Sequence, residues 1–476
     1  MKRQEASTQL AENAVGFWGL VSQSISGMAP SCDVVAFMTA GAAFAMAALP
    51  LSYLLAFLIM FIEVNTLYHL SKHRTTAGGY YGYVAAGLGP RAAVFTAFMV
   101  IFYQIISVAG IPIYIGGVFL PGLFAMIHIV LPSWIWIISV LFFIGVPLLL
   151  GIAGIRPTIK FIAFTSLVEI AFLIVASIII IARVHPAVPL QPFSLFPVGV
   201  KGVALGMIFA ITSFIGVGSH APLGEEARGK VQTRGKVVGK AAMISLALVG
   251  TALTLSAYAL TVGWGLNQMA SFASNGAPGV VVFLHYLGPI GAIALIVLAL
   301  NSALADGIAL ITSSSRILYA ISRDGLAHTS FAQVNGQSAP RMGVIVLASI
   351  AMAVGLIFGF LLGPSNAFNV LTTAVLFGLV AAHTLLNLSV IRLYRQMHQM
   401  HIVRHFILPV LSTVILWVVL YESVWPIVYP LWISPAIFIV FAAGVIAYIM
   451  YLQRHHKTEL DEADGLATRH RSADPA

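Results

Sequence analysis

The chain of 476 residues is 60% apolar and 11% aromatic, only 8% of it is charged, and its mean hydropathy is +0.99. A soluble domain carries roughly 25% charged residues, so 24 basic and 15 acidic side chains cannot cover a protein of this length in water, and lipid must be its solvent. The single cysteine, Cys32, excludes an internal disulfide and a cysteine-based metal cluster, and the net charge of +9 needs its distribution read before any partner is assigned.

In chain order, residues 1–13 are polar and lack the apolar core and cleavage site of a signal peptide, so they are expected as a cytoplasmic segment. Apolar runs then predict twelve membrane spans, at 17–46, 50–70, 92–120, 133–154, 159–182, 198–223, 238–264, 287–321, 341–362, 366–391, 406–421 and 429–451. Three intervals free of Lys, Arg, Asp and Glu (92–155, 241–305 and 342–391) are each long enough for two crossings at roughly 20 residues apiece. The tail, 454–476, is short, mixed in charge and expected to be disordered. All Lys and Arg except Arg183 and Lys201 fall at the two ends or in connections on one face. The positive-inside rule therefore places both termini in the cytoplasm, for a multi-pass protein of the cytoplasmic membrane. The charge is a topology signal, and no basic domain remains for nucleic acid.

Span 1 contains Ser24-Ile-Ser-Gly-Met-Ala-Pro30 and span 6 contains Gly216-Val-Gly-Ser-His-Ala-Pro222, the same spacing of small residues ending in Ala-Pro, 192 positions apart. Proline removes a backbone donor and Gly and Ser weaken a helix, so both spans should unwind at mid-depth. At the same offset span 2 falls on span 7 and span 3 on span 8. Five spans followed by five begun from the other side form an inverted repeat, 14–195 and 196–395, with spans 11 and 12 at 396–453. Single breaks of this kind serve equally to kink or pack a membrane helix; two at matching positions point to a secondary transporter with its site between them.

Four segments carry a family resemblance: the small-residue break in span 1, Ser213-Phe-Ile-Gly216 followed by Gly224-Glu-Glu-Ala-Arg228, Ala77-Gly-Gly-Tyr-Tyr-Gly-Tyr83 before span 3, and Ser315-Arg-Ile-Leu-Tyr-Ala-Ile-Ser-Arg-Asp-Gly325 after span 8. Over about 14–450 the chain resembles the amino acid-polyamine-organocation permeases. That resemblance implies an all-α LeuT-type fold of ten core helices plus two, moving amino acids or amines, often with protons and with no cofactor. The sequence departs from the family pattern at Ser26-Gly27-Met28-Ala29-Pro30, where a Gly-x-Gly core is usual, and at Gly216-Val217-Gly218-Ser219, where many members have an aromatic residue and a glutamate.

An unwound helix offers amides on one side and carbonyls on the other, and a zwitterion fits both. The amides of Ser26, Gly27 and Met28, beside Ala29, are expected to hold a substrate carboxylate, and the carbonyls of Phe214, Ile215 and Gly216, beside Gly218, an ammonium. His220 within the second break is either a core polar contact or a substrate-binding or pH-sensing group. Tyr103 and Gln104 in span 3 and Asn301 in span 8 either line the cavity or bond neighbouring helices. Four acids lie within spans. Glu169 and Asp306 are each about 15 Å from the cytoplasmic interface, a depth at which an acid is a functional residue by default. With Asp33 they are the expected proton-coupling groups. The alternatives are that Glu169 stays protonated and hydrogen-bonded, and that Asp33 only caps the second half of span 1. In the resembled family some members carry a lysine near the place of Glu169. Glu63, nearer the cytoplasmic end, is expected in a structural ion pair.

Gly224-Glu-Glu-Ala-Arg-Gly-Lys230 imitates a phosphate loop but has Val231 where Ser or Thr must ligate magnesium, with no strand before it. His69 with His73, and His398, His401 and His405, have helical spacing without an accompanying carboxylate, so no metal site is assigned. No catalytic constellation and no repeated filter segment is evident, which sets aside an enzyme and a channel. The expected function is a proton-coupled amino acid permease working by alternating access. A transporter of polyamines or other organic cations is the alternative.

Overall fold

The computed structural model describes residues 9–425 and 429–460, so parts of the two polar ends expected at 1–13 and 454–476 lie outside the described residues. Along the described chain run α1 (Phe17–Met28), α2 (Pro30–Val35), α3 (Phe37–Ala45), α4 (Leu49–Ser71), α5 (Tyr80–Leu88), α6 (Pro90–Tyr114), α7 (Leu120–Ala125), α8 (Ile135–Ala153), α9 (Ile155–Val184), α10 (Gly199–Thr212), α11 (Val231–Trp264), α12 (Met269–Ser274), α13 (Pro278–Arg323), α14 (Arg341–Leu362), α15 (Pro364–Gln396), α16 (Leu408–Val424) and α17 (Ile433–His455). Proline opens α2, α6, α13 and α15, because its missing N–H falls on an amide that has no partner in a first turn.

Among the described residues eleven helical runs are long and apolar enough to cross a bilayer, the first of them passing from α3 through a short 3-10 turn into α4. The twelfth expected crossing, span 1, is interrupted. Its pieces α1 and α2 have 12 and 6 residues, so neither spans alone. The chain is an all-α multi-pass membrane protein, and a count of twelve depends on taking α1 to α3 as one broken crossing.

The two halves are wired alike. α1 packs on α11 and α10 on α4, while α6 packs on α15 and α13 on α9; exchanging the first five spans for the second converts one pair into the other. Span 3 begins at Gly89-Pro90 and span 8 at Gly288-Pro289, and these glycines hold φ of 89° and 73°, values that strain any side chain. A short helical stretch precedes each corner: α5 before span 3, and residues 278–287 within α13 before span 8. At Gly79, just before α5, a Cβ would lie 2.9 Å from Pro222 of span 6, and at Gly279 a Cβ would lie 3.2 Å from the Val34 carbonyl of span 1. Each repeat thus lays a short helix across the broken span of the other.

α6 and α10 are buried along most of their length, whereas α17 buries only Ser434, Val445 and Leu452. Large apolar side chains face outward, such as Phe164 at 73% and Val440 at 74% exposure, as a lipid solvent requires.

Candidate functional site

Both expected breaks are present. α1 stops at Met28, and Ala29 turns into the left-handed region (φ 42°, ψ 57°) with its amide donating 3.1 Å to the Ser26 carbonyl. Pro30 then starts α2 with no donor to continue the ladder. In span 6, α10 ends at Thr212, and the chain continues through 3-10 turns at Ile215–Gly218 and Ala221–Leu223 without regaining an α-helix. Gly216, Gly218 and Pro222 account for that loss.

The breaks lie against each other. A Cβ on Gly216 would fall 2.0 Å from the Gly27 carbonyl carbon, and one on Gly27 would fall 2.9 Å from Ser219 Oγ and 3.1 Å from Gly216 Cα. Reciprocal side-chain bonds join them: Ser24 Oγ donates to the Val217 carbonyl at 2.9 Å, and Ser219 Oγ to the Gln23 carbonyl at 3.0 Å. Gln23 Nε2 reaches the Ala309 carbonyl of span 8 at 2.9 Å. Gly218 sits under Tyr80, whose hydroxyl would be 2.1 Å from a Cβ there.

The expected ligands are distributed differently from their sequence order. Ser26, Gly27 and Met28 lie inside α1, where their amides serve the helix; the first N–H beyond the break belongs to Ser31, and it donates 2.5 Å to Glu169 Oε1. The Phe214 and Gly216 carbonyls accept from Val217 and Ser219 within the 3-10 turns, at 3.1 and 2.9 Å. Asp33 does not cap a helix: its Oδ1 accepts from Ser213 Oγ at 2.7 Å, tying span 1 to the start of the span 6 break. Asp33, Glu169 and Asp306 all lie within electrostatic reach of Cys32, and Asp33 feels the other two acids. Around them Ser26 Oγ and Asp33 Oδ2 are buried without a hydrogen-bond partner among the described residues, and the side chains of Ser31 and Ser302 lie beside the Glu169 carboxyl. His220 turns toward α11, where its Nε2 lies 2.9 Å from the Val238 carbonyl and must carry the proton, since a carbonyl only accepts. Tyr103 is buried on α6 within reach of Tyr80.

A cavity of about 10 Å³, lined by Thr212, Phe37, Ser107, Gly110, Phe368 and Thr372 among others, has room for no more than about one water. The Phe368 ring packs edge-on against Phe37, centroids 5.1 Å apart, and tilted against Tyr114, centroids 4.7 Å apart. The contribution of span 10 through Phe368 and Thr372 was missing from the sequence reading, because neither residue stands in a break or carries charge.

Toward the basic face a polar latch covers the breaks. Arg316 grips Glu226 with Nε at 2.5 Å and Nη2 at 3.2 Å, with both side chains buried. Arg323 holds Glu225 at 2.8 and 2.9 Å, the Ala77 amide adds a bond to the same carboxylate at 2.9 Å, and Tyr81 donates to Asp324 at 2.8 Å. Burial alone would raise the Glu225 carboxyl, but the Arg323 fork and the Ala77 amide hold it below its ordinary value, so it stays ionised through the neutral range. The segment at Val15 completes the latch, its amide and carbonyl bonding Glu226 O and Arg228 N. The phosphate-loop look-alike is therefore half of a latch.

The remaining sequence expectations find definite places. Glu63 Oε2 lies 2.8 Å from His383 Nδ1 and its other oxygen accepts from Asn387 at 2.8 Å, so the carboxyl expected in an ion pair has a histidine and an amide as its partners. Gln104 accepts from Ser314 at 2.7 Å, a bond between spans 3 and 8, while Asn301 Nδ2 is buried without a partner. His69 and His405, distant in sequence, meet ring to ring at 3.2 Å beside Tyr394, and among the described residues no group of three or more His, Cys, Asp or Glu could hold a metal ion.

The branched-chain amino acid permease BcaP of Lactococcus lactis is 28% identical over 200 residues, 40% of each chain, so that match spans well under two thirds of that relative. An uncharacterised amino acid permease of Bacillus subtilis, YtnA, is 22% identical across 72% of this chain and 73% of its own. Among solved structures, two variants of a manganese transporter from Eremococcus coleocola share the fold at 15% and 16% identity, with TM-scores of 0.53 and 0.52, each covering 94% of this chain and 95% of theirs. The family profile described as amino acid permease matches residues 19–456, nearly the whole described chain, and the protein accordingly belongs to the amino acid permease family, with the LeuT-type fold of the amino acid-polyamine-organocation superfamily.

Proposed function

We propose that this permease carries an α-amino acid across the cytoplasmic membrane by alternating access, with both termini cytoplasmic and with protons as the coupling ion. The observation that carries the reading is the 2.5 Å bond from the Ser31 amide to Glu169 Oε1 at the span 1 break. A carboxylate already occupies the amide that a substrate carboxylate would take. Protonating Glu169 weakens it as an acceptor and frees the Ser31 N–H for the substrate, so proton and substrate bind together. The ammonium end meets Asp33 Oδ2, which lacks a partner, and the break of span 6 at Phe214, Ile215 and Gly216. Gly27, Ala29 and Gly218 let backbone approach the substrate closely, with Ser26, Met28, Tyr103 and His220 in the surrounding wall.

The breaks are covered on the basic side by the latch and Tyr80 and on the other by Phe37, Phe368 and Tyr114, which describes a closed stage of the cycle. Excess Lys and Arg on the latch face supports a cytoplasmic position for that face. A second reading is favoured by the grouping of Asp33, Glu169 and Asp306 beside one break: three carboxylates suit a polyamine or other organic cation. Competition for uptake separates the two. An α-amino acid is expected to compete well, while its decarboxylated amine and its deaminated acid each compete at least about tenfold less, since each lacks one charge-assisted bond. If the amine competes better than the amino acid, the organic-cation reading replaces this one.

A further inference from the structure

A groove of about 400 Å³ opens between the start of α1, the first turns of α9 and the strand-like contact at Val15. Its walls are Gly16, Gly19, Ile159 and Ala163, and its rim carries Lys160 and Arg228. Small residues shape it: a Cβ on Gly16 would meet nothing within 4 Å, whereas one on Gly19 would touch Ile159 at 3.1 Å, so the helices close at Gly19 and part at Gly16. The residues flanking the walls are apolar and exposed, as a surface beside lipid requires. Trp18, next to Gly19, is 55% exposed, and Phe164, next to Ala163, is 73% exposed. Tryptophan belongs at the boundary between headgroups and acyl chains.

At the rim, Arg228 spends its Nε on the Asn13 carbonyl at 3.1 Å, and its two terminal nitrogens make no ion pair among the described residues. Lys160 is exposed one turn before Phe164 and is likewise outside every ion pair of the described residues. Among the described residues no carboxylate lines the groove. Two cations at the headgroup level above an apolar slot match one amphipathic anion.

We infer that this groove binds one anionic phospholipid, its phosphate between Lys160 and Arg228 and the start of an acyl chain against Gly16, Ile159 and Ala163. The lipid would bridge α9 to the N-terminal segment, because Arg228 also receives that segment through Asn13 and Val15. It therefore sits on the seam between spans 1 and 5, which must part if the first half of span 1 moves.

The test is native mass spectrometry of the full chain, released from nanodiscs that contain phosphatidylglycerol and phosphatidylcholine. One phosphatidylglycerol is expected to stay bound after neutral lipid has gone. Lys160→Gln should weaken its retention about fivefold, the value of one cation near a membrane surface. Gly16→Leu, which keeps both charges and fills the slot, should abolish the retained lipid while leaving the thermal midpoint measured in the absence of phosphatidylglycerol at the wild-type value. Equal retention of phosphatidylcholine by wild type, or wild-type retention of phosphatidylglycerol by both variants, would overturn the assignment.

Discussion

Gly27 and Gly216 show how a side chain of no size sets the site. Their backbones approach until a Cβ on Gly216 would sit 2.0 Å from the carbonyl carbon of Gly27, a separation that only backbone movement can relieve. Gly110, which also lines the small cavity, would place its Cβ at an ordinary 3.6 Å from Leu371. Gly216→Ala is therefore expected to lower uptake by at least about tenfold with normal membrane insertion, since overpacking of this kind strains the closed state by about 1–3 kcal/mol. Gly110→Ala should retain most of its uptake. Initial rates of labelled amino acid entry, normalised to inserted protein, make the comparison. The sequence places Gly27 and Gly216 near the two breaks, Gly27 in fact within the last turn of α1, but does not show that they touch, because residues 189 apart meet only through the tertiary fold. It also placed the anion-binding amides at 26–28, whereas α1 runs on to Met28 and the first N–H past the break is that of Ser31. Three residues make that difference: Ser26, Gly27 and Met28 are buried against neighbouring spans, and tertiary packing keeps them helical against the weak propensity of Ser and Gly.

At the scale of elements, the motifs that revealed the family are parts of the latch. Glu225 and Glu226 from the loop after span 6, Arg316, Arg323 and Asp324 from the end of α13, and Ala77 and Tyr81 around α5 bond one another. They give away the family and say little about the substrate, which the less distinctive backbone at the breaks would contact. The two ion pairs differ in burial, and so should their variants. Glu226→Gln leaves Arg316 buried without its partner and should destabilise the closed form by about 3–5 kcal/mol; Glu225→Gln acts on a half-exposed pair and should cost about 1 kcal/mol or less. Cys32, the single cysteine, is fully buried beyond the span 1 break and reports the difference. Its reaction with a maleimide is expected to accelerate at least about tenfold in Glu226→Gln and little in Glu225→Gln; equal rates in wild type and Glu226→Gln would remove the latch from gating. The repeat was legible in more than the breaks. Leu88-Gly89-Pro90 and Leu287-Gly288-Pro289 mark the same corner in both halves, a signal in the sequence that the reading of apolar runs passed over because it lies at span edges.

For the whole molecule, composition and the placement of Lys and Arg suffice for a multi-pass helical protein with one basic face, because a bilayer permits so few architectures. The inverted repeat followed from proline and glycine, whose effects on a helix are local and strong. Tertiary pairing was out of reach of that reasoning: Glu63 with His383, Asp33 with Ser213 and the contribution of Phe368 from span 10 each join segments far apart in the chain. Transport is expected to tie these levels together through Glu169, whose carboxylate holds the Ser31 amide where the broken span begins again. Glu169→Gln keeps the shape and a carbonyl acceptor but cannot titrate. The decisive measurement is uptake of a labelled α-amino acid into proteoliposomes under an imposed pH gradient, wild type beside Glu169→Gln, with Asp306→Asn and Asp33→Asn alongside. Wild type should concentrate the substrate as long as the gradient lasts, and Glu169→Gln should exchange it across the membrane without concentrating it; accumulation by Glu169→Gln in response to the gradient, or a wild type that ignores pH and requires sodium, would contradict proton coupling through this residue.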